Sequence, residues 1–141
     1  MRLVILAALM FLTGCVSTGQ PPHVQISNDP GGVFSTHHEK WLTHWASLGT
    51  AEVNGFCGSA CTMVLMLDRD VCTTRGSVWA FHSSSDARGT IGYEETALMR
   101  AYYPPGLQVW FDQNAAHLHG ADYAQLSGAE MIDAGYVKEC L

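Results

Sequence analysis

The 141-residue chain carries 13 acidic against 7 basic side chains, a formal charge of −6 at neutral pH, and 48% of its residues are hydrophobic. That balance excludes the electrostatic hold on nucleic acid or anionic lipid head groups that a basic surface would give. The length fits one domain of ordinary size, and no internal repeat or low-complexity run interrupts it.

Met1-Arg2 supplies one positive charge, and Leu3 to Leu12 follow without a polar residue, the charged and short apolar regions of an export signal. So short a run cannot cross a bilayer as a helix, which needs about 20 residues. The segment closes with Leu12-Thr13-Gly14-Cys15, which resembles the bacterial lipobox, where small residues precede a cysteine that is diacylated and becomes the new N-terminus. The alternative, a plain cleaved signal, leaves Cys15 as an odd thiol in an oxidising compartment. The resemblance implies a signal peptide at 1–14, a lipidated Cys15 with a polar tether at 15–22, and a folded domain at 23–141. It also implies a location on the periplasmic side of the envelope, at the outer membrane, because Val16 rather than Asp follows the cysteine. A fully lipidated Cys15 holds the domain stably, since one acyl chain binds weakly and several bind well. Loss of Arg2 with the signal leaves 6 basic against 13 acidic residues in the remaining 127.

Along the domain, Val24 and Ile26 alternate in a strand over 23–27, which Asn28-Asp29-Pro30-Gly31-Gly32 ends as a turn. Trp41, Leu42, Trp45 and Leu48 form a helical stripe over 34–48, closed by Gly49. A strand at 51–53, a helix at 59–67 and strands near 71 and at 77–81 come next, and the alternation predicts an α/β fold with a mostly parallel sheet covered by helices. After a Ser/Gly loop, helices at 93–103 and 107–118 are divided by Pro104-Pro105-Gly106, and a helix at 127–134 leads into a strand at 136–139. Once Cys15 is set aside, Cys57, Cys61, Cys72 and Cys140 form an even set, which predicts two disulfides. Spacing leaves all three connectivities open.

The chemistry centres on Cys57-Gly58-Ser59-Ala60-Cys61, where a strand gives way to a helix. A small-residue turn at that junction presents the Ser59 hydroxyl at a helix N-terminus, where developing negative charge is favoured. The bland alternative is a helix N-cap. Two distant features favour catalysis. Loops at the carboxyl ends of parallel strands converge on one site, which brings the Asp29-Pro30-Gly31-Gly32 turn toward Ser59. His82 ends the strand at 77–81, and histidine is the usual base for a serine nucleophile near neutral pH.

With these residues in place, the chain resembles the proteolytic subunit of Clp protease and the wider Clp/crotonase superfamily, within it small periplasmic Clp-like proteins. The turn Ile26-Ser27-Asn28-Asp29-Pro30-Gly31-Gly32, the elbow Gly58-Ser59-Ala60, the strand Ser77-Val78-Trp79-Ala80-Phe81-His82 and the run from Leu126 to Val137 carry the likeness, which spans residues 24–140. Intervals of 27 residues from Gly32 to Ser59 and 23 from Ser59 to His82 match as well. The resemblance implies a Clp/crotonase-like β-α-β core. It makes Ser59 the nucleophile, His82 the general base, and the backbone N–H groups of Gly32 and Ala60 the oxyanion hole. In that family an aspartate ahead of the terminal run orients the histidine; here Asp122 fits by chemistry and His119 by spacing. The resemblance also implies a Cys72–Cys140 bridge between neighbouring strands and a Cys57–Cys61 clamp around Ser59. The strands that precede the turn in larger homologues are missing, so ring assembly is not expected.

His37-His38-Glu39 with His44 lacks the spacing that aims two imidazoles at one zinc, so it predicts a solvated helix face and no metal site. Trp41, Trp45 and Trp110 are expected in the core, and Ser83-Ser84-Ser85 either line the cleft or, more simply, form a polar loop. The leading expectation is a serine hydrolase of peptidase type acting without a cofactor on a peptide or protein. The alternative is a non-catalytic module binding a peptide or partner protein. A crotonase-type acyl-CoA enzyme ranks third, because that cofactor belongs to the cytoplasm.

Overall fold

The computed structural model describes residues 20–86 and 88–141. The expected signal peptide and Cys15, the expected lipid-bearing residue, lie outside the described residues. The elements are β1 His23–Asp29, α1 Phe34–Ala46, β2 Thr50–Gly58, a 3-10 helix Ser59–Asp70, β3 Val71–Thr73, β4 Val78–Phe81, α2 Tyr93–Ala101, α3 Pro105–Asn114, β5 Ala124–Ser127, α4 Gly128–Asp133 and β6 Lys138–Glu139. The fold is α/β with a mixed, mostly parallel sheet. β1 and β2, β2 and β3, β2 and β4, and β3 and β6 pair in parallel, whereas β4 and β5 pair antiparallel.

β2 organises this sheet. β1 follows one edge of it from His23↔Thr50 to Asp29↔Cys57, so β3, on Ala51 to Val53, and β4, on Phe56 to Gly58, must share the other edge in succession. Where they divide, the Val53 carbonyl accepts hydrogen bonds from the Thr73 and Ser77 hydroxyls at 3.0 and 2.8 Å. The Thr74 N–H donates to the same carbonyl at 3.0 Å, so the two hydroxyls reinforce a backbone bond where the ladder changes partner. Trp41, Met63, Trp79, Phe81, Leu107 and Phe111 fill the core beneath the helices. Two disulfides are present. Cys72–Cys140 ties β3 to the residue after β6, and Cys57–Cys61 ties the end of β2 to the first turn of the following helix.

Several local expectations are corrected. The helix after Ser59 is 3-10 and continues to Asp70, with a non-helical break at Asp68. Its first turn is tight, and the Thr62 hydroxyl donates to the Ser59 carbonyl three residues back at 2.7 Å. α1 stops at Ala46, and Leu48 rather than Gly49 takes the left-handed backbone, with φ 54°. β5 is not signalled by its sequence, since Ala-Gln-Leu-Ser has no β-branched residue, and its pairing to β4 supplies the strand. Ser127 is then the N-cap of α4, in a reciprocal capping box with Glu130. The histidines of α1 are not a solvated face. His37 bonds Asp29, His38 bonds the Tyr102 hydroxyl, and His44 is buried against the Thr50 carbonyl. Trp41 is wholly buried and Trp110 packs partly against the core, but Trp45 is exposed.

Candidate active site

Ser59 stands at the carboxyl end of β2, in the turn into the 3-10 helix, with φ 52°. A left-handed conformation costs a non-glycine residue about 1–2 kcal/mol and persists only where the surroundings impose it. Two constraints impose it here. The Cys57–Cys61 disulfide closes a loop around the serine, with both cysteines fully buried. The Pro30-Gly31-Gly32 turn presses on the other side. A side-chain carbon at Gly31 would fall 2.6 Å from the Gly58 oxygen and 2.8 Å from the Ala60 nitrogen. Only glycine permits that approach, and Gly31 also has φ 83°.

Asp29 locks the same turn. Its Oδ1 accepts a hydrogen bond from the Gly31 N–H at 2.9 Å, and the His37 ring meets that oxygen at 3.2 Å. The Lys40 ammonium lies 3.6 Å from the other carboxylate oxygen. An aspartate bonding a backbone N–H two residues on is the Asx-turn habit, and Asp29-Pro30-Gly31 is the sequence signal that could have assigned Asp29 this job. Gly32 and Ala60 line a cleft of about 660 Å³ together with Ser59 and His82.

His82 follows β4, is 5% exposed, and its Nε2 lies 2.6 Å from the Ser59 Oγ. Burial pushes its pKa below the ordinary 6.5, and neighbouring His119 lowers it further by like-charge repulsion. The ring is therefore neutral at pH 7, as a general base must be. Its position is set from two sides. The Ser83 N–H and hydroxyl donate to the Leu118 and Ala116 carbonyls at 2.9 and 2.6 Å, which straps the end of β4 to the segment after α3. The Tyr123 ring packs against the imidazole at a 42° tilt, with centroids 4.5 Å apart.

The expected third member does not reach the histidine. Asp122 is exposed, and its backbone N–H donates to the His119 carbonyl. The His82 Nδ1 is buried and has no hydrogen-bond partner among the described residues. The three serines after His82 divide between structure and cleft. Ser83 forms the strap, and Ser84 and Ser85 line the cavity with Met99, Glu95 and Tyr123. Nothing in the local sequence marks Tyr123, which neither spacing nor charge distinguishes. No known family model matches the chain, and a search of curated proteins finds no match either.

Proposed function

We propose that this chain is an envelope-anchored serine hydrolase of peptidase type, with a Clp/crotonase-like core and a lipid anchor at Cys15. The observation that carries the catalytic reading is the 2.6 Å contact between the Ser59 Oγ and the His82 Nε2 at a left-handed strand-to-helix turn. His82 takes the hydroxyl proton as Ser59 Oγ attacks a substrate carbonyl. The tetrahedral oxyanion is held by the Gly32 and Ala60 N–H groups, and such a donor contributes about 3 kcal/mol to transition-state stabilisation. As the intermediate collapses, the carbonyl–nitrogen bond breaks and the leaving amine receives the proton from His82. Water, deprotonated by the same ring, then releases the acyl group from Ser59 and restores the hydroxyl.

The cleft lining supports a peptide over an acyl-CoA. Glu95 borders it, as does Asp86 in an ion pair with Arg88, and no lysine or arginine is among the described lining residues. Such a lining offers no cation to hold phosphates and suits an uncharged or cationic segment. The two disulfides and the export-signal pattern of residues 1–14 support the periplasmic side of the envelope.

The unpartnered Nδ1 of His82 favours a second reading, a non-catalytic module of the same fold that binds a peptide or partner protein in this cleft. A fluorophosphonate probe separates the two. The hydrolase predicts labelling of the oxidised wild-type chain and none of Ser59→Ala. Absence of labelling in folded wild-type protein rejects the enzyme and leaves the binding module.

A further inference from the structure

β1 and β2 run in parallel away from His23 and Thr50, and the cleft lies beyond their carboxyl ends at Asp29 and Gly58. At the opposite end, the Thr50 N–H donates to the Pro22 carbonyl at 2.9 Å, and the His23 ring meets the Thr50 hydroxyl at 2.9 Å. The chain therefore enters the domain beside Thr50. Just ahead of Thr50, Leu42, Trp45 and Leu48 are 41, 58 and 76% exposed. Leu42 and Trp45, three residues apart, share one side of α1, and Leu48 follows in the turn just past its end. No Asp or Glu occurs from Lys40 to Ala51, although the chain has 13 of them.

We propose that Leu42, Trp45 and Leu48 seat the domain on the bilayer that receives the Cys15 acyl chains, and that this seat turns the cleft away from the membrane. The inference rests on the anchoring part of the proposed function. From Cys15 to Pro22 a fully extended chain reaches at most about 25 Å. An anchor that close keeps this end of the domain at high local concentration over the lipid, so a small apolar seat suffices. Indole rings favour the membrane interface. The acidic charge of the domain gives no attraction to anionic head groups, so the contact is apolar and needs no charged lipid. The seven residues of β1 then hold the cleft roughly 20 Å above the seat.

The test uses the mature chain purified from membranes and placed in phosphatidylcholine vesicles with brominated acyl chains, which quench indole emission on contact. The expected result is a loss of emission in wild type that Trp45→Phe removes, because Trp41 and Trp79 are buried and Trp110 packs against the core. Equal quenching in the two proteins, or none, overturns the seat. So does shielding of Trp45 that grows with protein concentration without lipid, which makes a second copy the occupant. Intact mass separates the levels of failure: a chain without acyl groups rejects anchor and seat together, whereas an acylated chain with unquenched Trp45 rejects the seat alone. Orientation is read by Val33→Trp in the Trp45→Phe background. Val33 lines the cleft and is exposed, so emission from that position should stay unquenched, and quenching there overturns the orientation.

Discussion

The nucleophile and its base are held in different ways. Ser59 is gripped by a disulfide that spans it, a glycine turn packed to van der Waals limits against it, and a hydroxyl on its own carbonyl. His82 rests between a tyrosine face and the backbone strap next door, and one ring nitrogen is buried without a partner. The serine's strained backbone requires restraint from every side. The imidazole needs no strain, so packing and one good hydrogen bond keep it in place. The elbow should therefore fail through covalent and steric changes, and the base through changes in its packing.

Removing the base altogether has the largest effect. His82→Ala should slow fluorophosphonate labelling of Ser59 by on the order of 10³-fold or more, measured as a labelling rate on folded protein. The two disulfides come next and sharpen the contrast. Cys72 and Cys140 are 68 residues apart, so changing both to Ala should cost about 4 kcal/mol in denaturant unfolding and leave the labelling rate unchanged. Cys57 and Cys61 are 4 apart, so the same change there should cost only about 2 kcal/mol, yet it should slow labelling because Ser59 lies inside the loop.

Gly31→Ala drives a methyl group into the Gly58 carbonyl at a left-handed backbone position. We expect a loss of about 3 kcal/mol in stability together with slower labelling. Tyr123→Ala acts on the base instead and should slow labelling by about tenfold if the ring's packing is worth about 1.4 kcal/mol. That variant also moves the pH profile. The folded His82 has a pKa below 6.5, so the wild-type labelling rate should hold as pH falls through 6.5 and decline only below it. The unfolded chain protonates first, so this group's contribution to stability is complete above 6.5 and is lost as pH falls from there through the folded value. Exposing the ring in Tyr123→Ala should raise the acid limb toward 6.5. The smallest effect belongs to Asp122→Asn. Its carboxylate is exposed and does not reach His82, so the labelling rate should stay within about twofold of wild type, as for surface changes generally.

The parts of the site legible in the sequence are those that one short segment determines. Small residues around Ser59 allow only a tight strand-to-helix turn, Asp29-Pro30-Gly31-Gly32 ends a strand, and His82 closes an apolar run. The α/β order and the even cysteine set were legible for the same reason, since periodicity and redox chemistry act locally or by count. The Cys57–Cys61 and Cys72–Cys140 pairing needed the resemblance, because spacing alone left the connectivity open.

Tertiary structure decided what depends on partners distant in the chain. β5 exists because β4 offers an edge, not because Ala124 to Ser127 prefer a strand. Tyr123 rather than Asp122 meets His82 because the segment after α3 is tied down by Ser83, and only folding sets which of two neighbours points inward. The stripe on α1 likewise divides between a buried Trp41 and an exposed Trp45, although both belong to one apolar pattern. Periodicity shows that a helix has an apolar side, but how far the core extends along that side is fixed by the sheet and the 3-10 helix packed against it.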